Sequence, residues 1–163
     1  MIDHGTPIFG AIASPVKQEL LFGGKGFGVF ICSFEDFNDA TKWTEIKPSL
    51  QVNTPLRMLV SRSHPSELGA AFHHMLQEKF SEITNISKGS ALKFFDLARG
   101  KADVYPRFAP TMEWDIAAGQ AILEALGGGV FNAATGMSLR YNKEDLTNPY
   151  FIAQTARFMQ SML

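Results

Sequence analysis

The chain has a single cysteine, Cys32, so it can form no internal disulfide. This points to a reducing compartment, with Cys32 packed in a strand between Ile31 and Ser33. No apolar run approaches the roughly 18–20 residues that cross a bilayer. The opening Met1-Ile2-Asp3-His4-Gly5 has neither the basic head nor the apolar stretch of a secretory signal. A cytoplasmic protein is expected, with at most a peripheral association with the inner face of the membrane. Neither sign of charge dominates, since 15 Lys and Arg against 16 Asp and Glu leave a net charge of −1. With no Lys/Arg-rich run, nucleic acid is not an expected partner. Repeats and low-complexity tracts are absent too. What remains is a chain of 163 residues, 45% apolar and 12% aromatic with 14 Phe, long enough for one domain with a real core.

Turn residues and hydrophobic periodicity divide the chain into two unlike stretches. Strands are predicted over 8–13, 19–22 and 28–32, punctuated by Ser14-Pro15 and Gly23-Gly24. Gly23-Gly24-Lys25-Gly26 invites comparison with a phosphate loop. It lacks the full spacing and the Ser/Thr after the Lys, and no long helix follows, so a hairpin turn is expected. Residues 33–55 read as a loop with one poor strand. From there strand and helix alternate: a strand over 57–61, then a helix capped by Ser66 and running to about 79, its apolar face made of Leu68, Ala71, Phe72, Met75 and Leu76. A strand over 82–86, a helix over 90–99 ended by Gly100, and a strand over 102–108 follow. A helix over 115–126 stops at Gly127-Gly128-Gly129, and strands over 130–132 and 150–153 close the pattern. The fold class expected is α/β, a layered sandwich, with remnant antiparallel strands over 1–55 and an α/β domain over 56–163.

The residues able to carry chemistry cluster late in the chain. Tyr105-Pro106-Arg107-Phe108 ends a strand with an arginine, and Trp114-Asp115-Ile116-Ala117-Ala118-Gly119 opens a helix of small residues with an aspartate. A guanidinium forks onto phosphate oxygens, and a carboxylate at a helix start can hold a divalent cation. Ser87-Lys88-Gly89-Ser90 precedes another helix, where backbone N–H groups and a hydroxyl can meet an anion, with Lys93 on the same face. His64 follows a strand, where α/β folds place ligands. Each has an ordinary reading as well: Ser90 and Asp115 as helix caps, Lys93 and Arg107 as solvated cations, His64 as a loop residue. His73 and His74 read as surface or packing residues, and Trp114 as a packing anchor. Ser61 and Ser63 beside His64 lack a nucleophile-elbow pattern.

Taken in order and spacing, Ser61-Arg62-Ser63-His64, Gly89-Ser90-Ala91-Leu92-Lys93-Phe94, Ala102-Asp103-Val104-Tyr105-Pro106-Arg107-Phe108 and Trp114-Asp115-Ile116-Ala117-Ala118-Gly119 resemble the 3′(2′),5′-bisphosphate nucleotidases of the CysQ type, within the inositol monophosphatase-like superfamily. The resemblance covers essentially the whole chain. It implies Mg²⁺-dependent removal of the 3′-phosphate from adenosine 3′,5′-bisphosphate in sulfur assimilation. It assigns Asp115 as a metal ligand close to substrate, Ser90, Lys93 and Arg107 to the phosphates and sugar, and His64 to the adenine. Such chemistry uses a cluster of Mg²⁺ ions. Most ligands of that cluster lie in a Glu-Glu pair and an Asp-Pro-(Ile/Leu)-Asp-Gly-Thr motif, and neither occurs in this sequence. The resemblance therefore implies the C-terminal portion of such a fold, its N-terminal half missing, and negligible catalysis by this chain alone. A homo-oligomer joined through the strands of 7–32, or a separate N-terminal half, is the expected partner. A non-catalytic nucleotide- or phosphate-binding module and an inositol-monophosphatase-like phosphatase are the competing readings.

Overall fold

A computed structural model describes residues 1–60 and 66–163. The chain opens with a tight hairpin, β1 (Ile2–Asp3) against β2 (Thr6–Pro7), turned by His4 and Gly5 with φ of 45° and 75°. An antiparallel sheet follows: β3 (Phe9–Ser14), β4 (Glu19–Gly24), β5 (Gly28–Ser33) and β6 (Thr44–Glu45), in that spatial order. Alternation gives each face its character. Ile12, Leu21 and Val29 point into the core. The opposite face carries Phe22 and Phe30, over which Phe37 and Trp43 fold as an aromatic layer.

The second sheet is built from β7 (Leu56–Val60), β8 (Ile83–Ser87), β9 (Val104–Arg107), β10 (Gly129–Asn132) and β11 (Phe151–Gln154), ordered β10-β11-β9-β7-β8. β7 runs parallel to β8 and β9, while β11 is antiparallel to β9 and β10. Four helices complete the described fold: α1 (Glu67–Gln77), α2 (Lys93–Ala98), α3 (Glu113–Ala125) and α4 (Ala156–Met162). Leu59, Tyr105, Phe151 and Ala153 send the inner face of the second sheet toward α2, α3 and the first sheet. Met58, Val104 and Ile152 face the other way, where Leu76 and Phe72 of α1 and Phe158 and Met162 of α4 cover them. The layers therefore run sheet, helices, sheet, helices. None of the described helices is long and apolar enough to cross a membrane.

Several sequence expectations need correction. The helix expected over 90–99 is only Lys93–Ala98, because Ser90 takes a left-handed φ of 58° and the chain then winds through i→i+3 bonds, Phe94 N–H to Ala91 C=O among them. The helix expected from 115 starts two residues earlier, at Glu113. On α1, Leu68, Ala71 and Met75 are exposed instead of packed, and Leu76 and Phe72 make the contact. Helix α4 was not anticipated. Its signal was present in Thr155, whose hydroxyl caps the Phe158 N–H, ahead of an apolar stripe.

Two contacts hold these layers in place. Gly10 of β3 meets α3 so closely that a Cβ there would lie 2.1 Å from the Ala118 carbonyl oxygen, and a Cβ on Gly119 would lie 2.3 Å from the Phe94 ring. Deep on the far side, Asp103 is fully buried. Its carboxylate accepts from Arg57 N–H at 2.9 Å, Asn53 Nδ2 at 3.0 Å and Asn53 N–H at 3.2 Å, with Arg157 Nε 2.8 Å away. Gly10→Ala forces backbone apart, and overpacking of this kind costs about 1–3 kcal/mol; calorimetry should show Tm lowered by roughly 2–12 °C for a chain this size. Asp103→Asn leaves the Arg157 guanidinium buried without its counter-charge, and denaturant unfolding should show a loss of about 3–5 kcal/mol.

Candidate functional site

The parallel strands β7, β8 and β9 end on one side of the second sheet, and loops beyond carboxyl ends of such strands are where α/β folds bind ligands. Here β9 finishes at Arg107, α2 begins at Lys93, and α3 points its first turn toward both. Ser90, Lys93, Tyr105, Arg107, Trp114 and Asp115 line a shared cavity of about 280 Å³. The structure thus brings together four of the five residues singled out from the sequence. The fifth, His64, lies outside the described residues.

Lys93 is the unusual member. Its side chain is 4% exposed and sits with Nζ 4.8 Å from the centroid of the Tyr105 ring. That ring is itself fixed edge-on between Phe94 and Phe151. No carboxylate among the described residues forms an ion pair with Lys93. Asp96, one turn further along α2, is engaged by Lys88 instead. Burial, and then the positive charge of Arg107, lower the Lys93 amine to about 8. The folded value lies below that of free lysine, so the unfolded chain holds more protons between about pH 8 and 10.5. This group's contribution to stability accordingly rises with pH across that window. The surface-lysine reading is excluded by this burial.

Arg107 is half-buried and donates from Nη2 to the Pro110 carbonyl at 3.4 Å, which aims its head group along the 107–110 turn. Ser90, in its left-handed conformation, is exposed and three residues ahead of the helix; it is not the cap, since Leu92 holds that position. Asp115 is the third residue of α3, and its carboxylate accepts from the Met112 N–H at 2.9 Å. It therefore closes the helix start from inside, the return arm of a capping box. Trp114 is 67% exposed at the rim of the cavity and is not the packing anchor that its sequence suggested.

A larger cavity of about 450 Å³ adjoins the first and shares Arg107 with it. Its walls are mostly apolar, from Met58, Val60, Ala70 and Phe108, with Ser66, Asn85 and His73 as polar points. Together the two spaces have the size and the mixed lining of a small-molecule site. Sequence reasoning had set His73 aside as an ordinary helix residue, and only the fold brings it beside Phe108 and Arg107.

The donor set does not fit a metal centre by itself. Among the described residues no group of three or more His, Cys, Asp or Glu side chains stands close enough to hold an ion. Glu113, the other acid at the start of α3, is occupied by the Asn142 N–H at 2.8 Å, the Lys143 N–H at 3.2 Å and the Lys143 ammonium. One carboxylate remains in the cavity, and Mg²⁺ sites generally use more than one along with substrate oxygens.

Comparison with known proteins identifies the family. The 3′(2′),5′-bisphosphate nucleotidase CysQ of Escherichia coli (strain K12) is 34% identical over 157 residues, which is 93% of this chain and 56% of that protein. CysQ of Buchnera aphidicola is 36% identical over 149 residues, 87% of this chain and 49% of that one. The crystal structure of CysQ from Bacteroides thetaiotaomicron superposes with a TM-score of 0.83 at 39% identity, covering 96% of this chain and 60% of its own. The chain thus spans about half to three-fifths of the length of these relatives. The sequence model of the inositol monophosphatase family matches residues 1–163, and the chain belongs to that family.

Proposed function

We propose that this chain binds a bisphosphorylated nucleotide, adenosine 3′,5′-bisphosphate or a close relative, as the recognition portion of a CysQ-type 3′(2′),5′-bisphosphate nucleotidase, and does not turn it over alone. The observation that carries this reading is the pairing of Lys93 and Arg107 in one cavity against a single carboxylate, Asp115. Two cations that repel one another, one of them buried, are stabilised by a ligand with several negative charges. The Ser90 hydroxyl adds a donor at the same wall. The adjoining apolar cavity beyond Arg107 offers a base room to pack against Phe108 and Met58, with His73 and Asn85 available for its polar edge. An inositol monophosphate would leave that space unused and needs fewer cations. His64, outside the described residues, is proposed as a contact of the base.

What the residues of this chain do is bind and orient. Lys93 and Arg107 meet phosphate oxygens, Tyr105 holds the Lys93 ammonium over its ring, and Asp115 is the one metal ligand the chain supplies. Mg²⁺ would provide the activated water and the stabilised leaving oxygen in a complete site. Among the described residues the carboxylates do not form its cage.

Trp114, exposed at the rim, gives a direct readout. Titrating adenosine 3′,5′-bisphosphate should quench its fluorescence at pH 7 in a Lys93-dependent way. Lys93→Met and Arg107→Met should each weaken binding at least tenfold, the loss of one charge-assisted contact at about 1.5–3 kcal/mol. Binding unaffected by either change would sink the reading. Because the anion needs the ammonium form of Lys93, affinity should fall as pH rises through about 8, by up to a factor of about ten per pH unit. A flat profile from pH 7 to 9.5 would show that Lys93 is not in the contact. In the same buffer with Mg²⁺, phosphate release should stay at background for both the native sequence and Asp115→Asn. Turnover lost on that substitution would mean that other carboxylates complete the metal site.

A further inference from the structure

Thr111 is a further residue on the wall of the smaller cavity, half-buried and placed between Arg107 and Asp115 in the chain. Its backbone is held by an antiparallel neighbour. Asn148 N–H donates to the Thr111 carbonyl at 2.8 Å, Glu113 N–H donates to the Leu146 carbonyl at 3.0 Å, and Met112 bridges to Thr147. The Asn148 side chain strengthens this attachment. The residue is 4% exposed, and its Nδ2 donates to the Met112 carbonyl at 2.8 Å and to the Thr111 hydroxyl oxygen at 3.2 Å.

The direction of these bonds decides what Thr111 can do. A carbonyl only accepts, so the amide nitrogen of Asn148 must face Met112, and turning the amide over would set two oxygens against each other. That orientation holds although it leaves Asn148 Oδ1 buried with no hydrogen-bond partner among the described residues. The Thr111 oxygen meets the same nitrogen and must accept from it. A hydroxyl carries one proton, and this one cannot go to Asn148. Among the described residues no acceptor takes it. A β-branched side chain on a backbone held in this way has few rotamers open to it.

We propose that Thr111 is a further ligand-contacting residue of this cavity, its hydroxyl donating to a phosphate oxygen, and that Asn148 is the positioning residue that turns the hydroxyl proton toward the ligand. This role rests on the nucleotide reading and adds a neutral donor to it. Lys93 and Arg107 already repel one another, and a hydroxyl gives an anion another bond without another positive charge. What complements such a donor is an acceptor. The acceptors that two cations draw into this space are the phosphate oxygens of a bisphosphorylated ligand.

Isothermal titration calorimetry with adenosine 3′,5′-bisphosphate at pH 7 tests both roles. Thr111→Val keeps the branched shape and removes the hydroxyl; it should weaken binding by roughly tenfold or more, the loss of one hydrogen bond to a charged group. Thr111→Ser restores the hydroxyl and should recover most of that loss. Asn148→Ala should weaken binding when Thr111 is present and add nothing in the Thr111→Val background, because it acts through the hydroxyl alone. Lys93→Met and Arg107→Met serve as references. If Thr111→Val binds as the unmodified chain does while the two references are weakened, this proposal is overturned and the nucleotide reading stands. Binding that is absent from the unmodified chain, or indifferent to both references, overturns the nucleotide reading and this proposal with it. Thr111→Ser as weak as Thr111→Val overturns the hydroxyl contact. A full Asn148→Ala loss on top of Thr111→Val overturns the positioning role, since Asn148 would then act through the fold. Should Asn148→Ala not fold, solvent exchange of the Asn148 side-chain amide protons, followed by NMR in the unmodified chain, decides that role. Protection supports it, and exchange as fast as at an exposed asparagine overturns it.

Discussion

Everything on the ligand side of this molecule hangs on how closely α3 lies against β3. The helix passes so near the strand that no side chain fits at Gly10, and the next turn is so near α2 that none fits at Gly119, where Phe94 fills the space. Small residues on both partners let backbone meet backbone, and interiors packed to that density transmit position with little slack. The consequence is geometric. Trp114 and Asp115 in the first turn of α3 and Lys93 at the start of α2 are held at fixed distance because their helices share one packed contact. Residues that are remote in sequence become walls of one cavity without any direct bond between them.

The other wall depends on a charged anchor. Arg107 ends β9, and β9 begins one residue after Asp103, which is buried with Arg157 and the backbone of Asn53 and Arg57. Arg157 also donates to the Gly100 and Ala102 carbonyls. A buried ion pair is seldom worth much against an apolar pair of the same shape. Its use here is positional: it ties the start of β9 to the start of β7 and to α4 at one point. The strand that delivers Arg107 is then fixed in register, and the cation at its far end is aimed by the short turn to Pro110.

Much of this was legible in the sequence. Strand and helix alternation after residue 56 gave the layered α/β class, and the motifs around Ser90, Arg107 and Asp115 gave four residues that share a cavity. The misses have local causes. A left-handed residue at Ser90 has no marker when the residue is not glycine, so the helix was drawn three residues too early. Asp115 reads as a cap whichever side of the helix start it occupies, because an acid at the cap and an acid three residues in serve the same orphan N–H groups. Periodicity assigned Leu68 and Met75 to a buried face, but α1 touches its sheet through a narrower stripe, and its outer flank stays in solvent. The burial of Lys93 and the place of His73 on the cavity wall could not be read at all, since both follow from tertiary neighbours.

The charge balance of the cavity is where fold and chemistry meet. Desolvation of Lys93, and then the positive charge of Arg107, is why its amine sits near 8 instead of 10.5. Here the available acids are turned elsewhere: Asp96 to Lys88, Glu113 to the 142–143 backbone and Lys143, and Asp115 in part to the helix start. In the proposed reading a multiply charged ligand offsets the repulsion between Lys93 and Arg107 in a way that a neutral one does not. In that reading recognition and metal chemistry are separable: the residues of this chain are proposed to supply the first, while among the described residues the carboxylates form no metal cage.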